Sequence, residues 1–215
     1  MADAHVHRTQ DRRRANLARA AALGAAAMLT AGLATGCGGP SGSDAAGAKP
    51  ASVTAATALD PSVPDRITIP SIKVDAPLGS VGLQSDGSLE TPPFGSPMEA
   101  SWYREGPTPG ERGPAIIAGH MDTAKVSEAV FYKLDRLKKN AEIDVERNDG
   151  STAVFVVDSV DTFKKNAFPD AKVYGGTADA QLRLITCGGN LTEDRHWDSN
   201  VVVFAHLKGK QSAPA

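Results

Sequence analysis

The sequence predicts an all-β fold, a small closed barrel of seven or eight short strands with one or two short helices. Two runs near the start of the domain alternate apolar and polar residues with the period of a pleated strand. From there to the end, Gly, Pro and Asp-Gly turn signals cut the chain into short segments. Only residues 129–137 carry apolar groups at helical spacing. Closing so many short strands into a barrel removes the exposed edges of an open sheet.

The first two strands are Arg66-Ile67-Thr68-Ile69 and the run from Ile72 to Leu78, with Pro70 and Pro77 marking strand ends or an edge. Asp86-Gly87 is a turn. Residues 92–109 are rich in Pro and Gly and read as loop, apart from a short strand near Trp102-Tyr103. Residues 114–120 form a buried strand that ends on His120. Val130, Phe131, Leu134 and Leu137 then mark one amphipathic helix, with Ser127 as its N-cap. Strands at about 142–147 and 152–160 flank Asn148-Asp149-Gly150, and Asp-Gly between strands signals a hairpin. Strands at 182–187 and 201–207 complete the set.

The ends of the chain read differently. Arg12, Arg13, Arg14 and Arg19 precede an alanine-rich apolar stretch that ends at Gly36-Cys37, the pattern of a secretory signal. Residues 1–37 are therefore a signal peptide or anchor. Ala34-Thr35-Gly36-Cys37 resembles a lipoprotein processing site, which would put a lipid on Cys37. A cleaved signal and a retained anchor are the alternatives. Residues 38–64 hold Ala, Gly, Ser, Thr and Pro with few large apolar groups, so they form a flexible linker. Residues 65–207 are one domain with one core, and residues 208–215 a frayed tail. The expected location is extracytoplasmic and membrane-tethered.

The whole chain has 23 Lys and Arg against 25 Asp and Glu. Residues 1–36 hold five Arg and two Asp, so the remainder has 18 basic and 23 acidic residues, a net charge of −5. That balance argues against a nucleic-acid partner, because phosphate binding needs a basic surface. The three histidines beyond the signal are scattered and have no metal-ligand spacing. The glycine pairs lack a phosphate-cradling pattern. No metal or cofactor is expected.

Of the two cysteines, only Cys187 lies in the domain. A lone thiol in an oxidising compartment is either intermolecular or reactive. It ends the run Leu182-Arg183-Leu184-Ile185-Thr186 and precedes Gly188-Gly189, the position of a nucleophile. A buried small hydrophobe is the bland alternative. A nucleophilic thiol needs a proton partner, a donor for the oxyanion and access for substrate. His120 ends an apolar strand, where an imidazole is out of place without a task. His196 reads as a loop residue and His206 as an exposed strand residue. Arg195, in the loop before the last strand, and Arg183, on the face of Cys187, both compete as oxyanion donor.

The segments ITIPSIKVDAPLG, DGSLETPP, SWYREGPTPGERGPAIIAGHMD, AVFYKLDRL, LRLITCGG and NVVVFA resemble, in order, those of sortases, and within them the class F group of actinobacteria. The resemblance spans about residues 67–207. It implies a closed eight-stranded sortase-type barrel with Cys, His and Arg converging at one end. Cys187 matches the nucleophile of the Thr-Leu-x-Thr-Cys motif, whose first Thr is Arg183 here. His120 matches the histidine of the Gly-His segment, and Arg195 is the nearest match to the family arginine. The implied activity is a cysteine transpeptidase. It would cleave a Leu-Pro-x-Thr-Gly-like sorting signal through a thioester and pass it to an amine such as a peptidoglycan precursor. Two alternatives are an endopeptidase that hydrolyses the thioester and a silent peptide-binding lipoprotein.

Overall fold

The computed structural model describes residues 56–212. The signal, Cys37 and the first part of the linker lie outside the described residues. Eight strands close into one barrel: β1 (Pro64–Ile69), β2 (Val74–Val81), β3 (Ala100–Tyr103), β4 (Gly113–Gly119), β5 (Glu142–Arg147), β6 (Ser151–Lys164), β7 (Ala180–Leu191) and β8 (Trp197–Ser212). Around the barrel the order is β1-β2-β3-β4-β7-β8-β6-β5, with β5 returning to β1. The β2–β3 and β4–β7 pairs are parallel and the rest antiparallel. One short α-helix, α1 (Asp170–Tyr174), and three single 3-10 turns complete the described residues, none long and apolar enough to cross a membrane.

The alternation read from sequence is the alternation of the barrel wall. Ile67, Ile69, Ile117, Ile143, Val145, Phe155, Leu182, Leu184 and Val203 point into one core and are fully buried. Burying a side chain of this size contributes about 1.5–3 kcal/mol. A second, smaller cluster lies on the outer face: Ile116 of β4, Ile185 of β7 and Val202 and Phe204 of β8 pack against Val173 of α1, with Phe163 and Phe168 beside them. The β6–β7 connection covers this face. That is why β4 reads as an unbroken apolar run rather than an alternating one; all seven of its residues are buried.

Three local readings change. Residues 129–137 bury Val130, Phe131, Leu134 and Leu137 as expected, but they form turns with a 3-10 turn at Leu134–Arg136 and no amphipathic helix. The backbone donors are taken elsewhere: Ala129, Val130 and Phe131 donate to Met121, Pro97 and His120 carbonyls. Residues 56–63, read as the end of the linker, lie against the barrel. Leu59 N–H donates to Gly110 O at 2.8 Å, Ser62 N–H to Thr108 Oγ1 at 3.1 Å, and Asn148 N–H to Val63 O at 2.9 Å. Strand β8 runs on to Ser212 because Thr152 and Ser151 of β6 pair with Gln211 and Ser212.

Candidate active site

Parallel pairing of β4 with β7 brings two distant segments side by side. Ile117 pairs with Leu184 and Ala118 with Ile185. Carried two residues past that last pair, the register sets His120 level with Cys187. Both residues share the outer face, since Cys187 lies two positions beyond Ile185 and His120 two beyond Ala118. Asn200 of β8 pairs with Cys187 from the other side. The thiol is half-buried and unpaired with any cysteine, so it is neither sealed in the core nor fully in solvent. At the opposite parity Leu182 and Leu184 fill the barrel.

His120 is 8% exposed, and its ring is fixed from two directions. Nε2 lies 2.8 Å from Pro92 O. A carbonyl only accepts, so Nε2 carries a hydrogen, and Nδ1 is the nitrogen left to exchange a proton. The Phe94 ring stacks on the imidazole at a centroid distance of 4.7 Å and 26° between planes. Phe94 itself is 69% exposed. The Pro- and Gly-rich loop before β3 thus forms a strap over the histidine.

The glycines after Cys187 serve packing and turn geometry. A Cβ on Gly188 would stand 2.6 Å from Val201 Cγ2. Gly189 has φ +85° and faces Asp198. Asp198 accepts from Ser199 Oγ at 2.6 Å and Asn190 N–H at 3.0 Å, and pairs with the Lys164 ammonium. The hydrogen bond from Lys164, then those from Ser199 and Asn190, hold its carboxyl well below the usual carboxylate range. Beyond it Trp197 Nε1 donates to Asp122 Oδ1 at 2.9 Å, which ties the base of the β7–β8 hairpin to the segment after His120.

The two candidate arginines lie on opposite sides of the thiol. Arg183 is four residues before Cys187, roughly 13 Å along the strand. It is buried over the Phe204 ring, 4.6 Å from its centroid. Its guanidinium donates to Leu182 O at 3.1 Å and to Gln181 Oε1, leaving Nε without a partner. Burial pushes its pKa down to about 10. Arg195 sits in the exposed turn 192–196, whose base is the Leu191–Trp197 pair. That base lies four residues past Cys187, again roughly 13 Å along the hairpin. Arg195 takes a left-handed φ of 61°, its N–H donates to Thr192 O at 2.9 Å, and its side chain makes no hydrogen bond or ion pair among the described residues. The cation beside the sulfur is Lys165, whose Nζ lies 3.7 Å from Cys187 Sγ.

His196 occupies the same exposed turn, held by Thr192. His206 Nδ1 pairs with Asp158 Oδ1 at 2.7 Å on another part of the surface. Among the described residues no group of three or more His, Cys, Asp or Glu gathers as a metal site. An apolar hollow of about 500 Å³, lined by Leu83, Leu89, Tyr103 and Tyr174, opens beside the outer cluster. Sequence reading missed Lys165, Pro92, Phe94, Asp122 and Trp197. The aromatic residues were visible as out-of-place apolar groups in loop segments, but nothing local ties Lys165 to Cys187.

Among solved structures the barrel is similar to sortase A of Listeria monocytogenes, with TM-score 0.52 and 20% identity over 72% of this chain and 92% of that one. It is similar to the sortase SrtA of Actinomyces oris, with TM-score 0.53 and 20% identity over 69% and 81%. It is also similar to sortase C-1 of that organism, with TM-score 0.51 and 20% identity over 69% and 75%. These likenesses concern the fold. Among curated proteins none matches the sequence. A family model for the sortase domain matches residues 67–208, which take in His120, the β6–β7 connection and Cys187, and the chain therefore belongs to the sortase family.

Proposed function

We propose that this sortase is a class F cysteine transpeptidase acting on a Leu-Pro-x-Thr-Gly-like sorting signal. The observation that supports this most is the half-exposed Cys187, level with His120 across a parallel strand pair on one face of the barrel. In the first step the thiol proton passes to His120 Nδ1 and sulfur bonds to the carbonyl carbon after threonine. The same ring atom then protonates the departing amine as its C–N bond breaks and a thioester remains. An incoming amine, such as one on a peptidoglycan precursor, gives a proton to Nδ1 and bonds to the carbonyl carbon; the C–S bond breaks, and the released sulfur takes that proton back from Nδ1.

Arg195 we assign to the peptide backbone, which an exposed guanidinium on a hairpin tip can hold through its planar donors. The apolar hollow beside Tyr103 and Tyr174 suits an apolar side chain of the signal. We infer that residues 1–37 tether the domain outside the membrane, by a lipid on Cys37 or a retained anchor. Radiolabelled fatty acid incorporated in wild type but not in Cys37→Ala would identify the lipid route.

Mass spectrometry of the full chain with a panel of sorting peptides tests the reaction. The expected result is a covalent acyl adduct on Cys187, absent from Cys187→Ala. Products with and without a primary amine separate transfer from hydrolysis. A wild-type protein that no peptide acylates refutes the reading.

A further inference from the structure

We propose that Lys165 is a catalytic residue of this site, and that its ammonium supplies the positive charge opposite the oxyanion that forms when Cys187 attacks. This rests on the transfer reading above and adds to it a residue that its motif does not contain.

The register explains why Lys165 stands there. Strand β8 lies between β6 and β7, and its Ser199 pairs with Lys164 on one side and Gly188 on the other. The end of β6 is therefore level with the end of the Cys187 segment, two strand spacings away. That is roughly 10 Å between backbones, a gap a lysine side chain can largely span. Two adjacent lysines reach this edge and their partners divide them. Lys164 is held by Asp198. The chain then turns through the 3-10 turn at Lys165–Ala167, and Lys165 reaches the thiol instead of a carboxylate, with Nζ 3.7 Å from Sγ. Among the described residues no other side-chain donor lies within hydrogen-bond distance of that sulfur. Arg195 is on the exposed turn and Arg183 is committed to Phe204 and Gln181.

The position suits the chemistry. When sulfur bonds to the carbonyl carbon, the π pair moves to oxygen, and that oxygen is one bond from the carbon attached to sulfur. A donor at 3.7 Å from Sγ can lie at the roughly 2.7–3.1 Å that an oxyanion donor needs. Lys165 keeps its protons throughout: its N–H donates to the oxyanion, and the bond relaxes when the pair returns to re-form C=O and the C–N bond breaks. The proton for the departing amine comes from His120.

The experiment compares the full chain with Lys165→Met, Lys165→Arg and Arg195→Ala. Single-turnover acylation by a sorting peptide should fall about 10²–10³-fold in Lys165→Met, as expected for removal of an oxyanion donor. Lys165→Arg should recover most of the loss. A second measurement needs no peptide: the ratio of Cys187 alkylation rates for iodoacetate and iodoacetamide. The thiolate fraction cancels in that ratio, so it reports the local field. A cation about 4 Å away raises it roughly fivefold at water-like screening, and Lys165→Met should abolish that preference while Arg195→Ala keeps it. An unchanged ratio in Lys165→Met, or acylation within about threefold of wild type where donor loss should cost far more, overturns the proposal. Wild-type protein left unacylated by every peptide overturns the transfer reading instead, and the alkylation ratio then decides the place of Lys165 at the sulfur.

Discussion

Replacing Gly189 by alanine separates two costs that the β7–β8 hairpin imposes on its sequence. Gly189 has φ +85°, a backbone conformation that costs an L-residue about 1–2 kcal/mol. The new Cβ would also stand 2.3 Å from Asp198 Oδ1, 2.5 Å from Ser199 Oγ and 2.7 Å from Ser199 Cβ. Ser199 is buried and bound into β8, so its Cβ moves only if the strand moves. Overpacking of that kind costs about 1–3 kcal/mol. Gly189→Ala should therefore lose about 2–5 kcal/mol. For a domain of this size that lowers Tm on the order of 10 °C. Gly150→Ala is the matched control, since Gly150 has φ +77° but nothing within 4 Å of the added methyl, and it should lose only the backbone term of about 1–2 kcal/mol. Gly176→Ala, with ordinary backbone and open space, should stay within about 0.5 kcal/mol of wild type. Urea unfolding of the three variants gives the series directly. The reasoning fails if Gly189→Ala is no less stable than Gly150→Ala.

Four further expectations follow from the same geometry. Arg183→Met should leave acylation unchanged and stability within about 1 kcal/mol, because relief of a buried charge offsets the lost contact with Phe204; a tenfold fall in acylation would place Arg183 in the chemistry. His120→Ala should cut turnover by roughly 10²–10⁴-fold, whereas His206→Ala, far from the thiol and paired with Asp158, should not, and steady-state kinetics on both decides the assignment. Asp198→Asn should lower Tm at neutral pH. The folded carboxyl titrates below its ordinary 3.8, so its contribution is complete above that value and fades as pH falls through the depressed one; the Tm gap between wild type and variant should close only in strong acid. Trp197→Phe removes the donor to Asp122 at a cost of about 1 kcal/mol, and it should increase hydrogen exchange in the segment after His120.

The sequence was most informative where local chemistry conflicts with local pattern. An imidazole ending an apolar strand and a lone thiol before two glycines stood out, and parallel register sets them level. Strand identity was readable from alternation and turn residues, but strand partners were not: β4 and β7 are joined only after two intervening strands. The reading failed at residues 129–137 because helical spacing reports which side chains are buried, not where the backbone donors go. Phe131 gives its N–H to His120 O, a partner no periodicity reveals. Lys165 was invisible for a related reason. Its place depends on β8 pairing with β6 and β7 at once, which is a property of the closed barrel and of no single segment.

The carbonyl of Pro92 has a kinetic consequence. By pinning one edge of the imidazole, it leaves a single doorway for protons. In the proposed mechanism the amine that departs and the amine that arrives must both stand at that doorway, so they cannot be there together. The first product has to vacate before the acceptor enters, and the cleaved tail of one client should compete with the nucleophile of the next step.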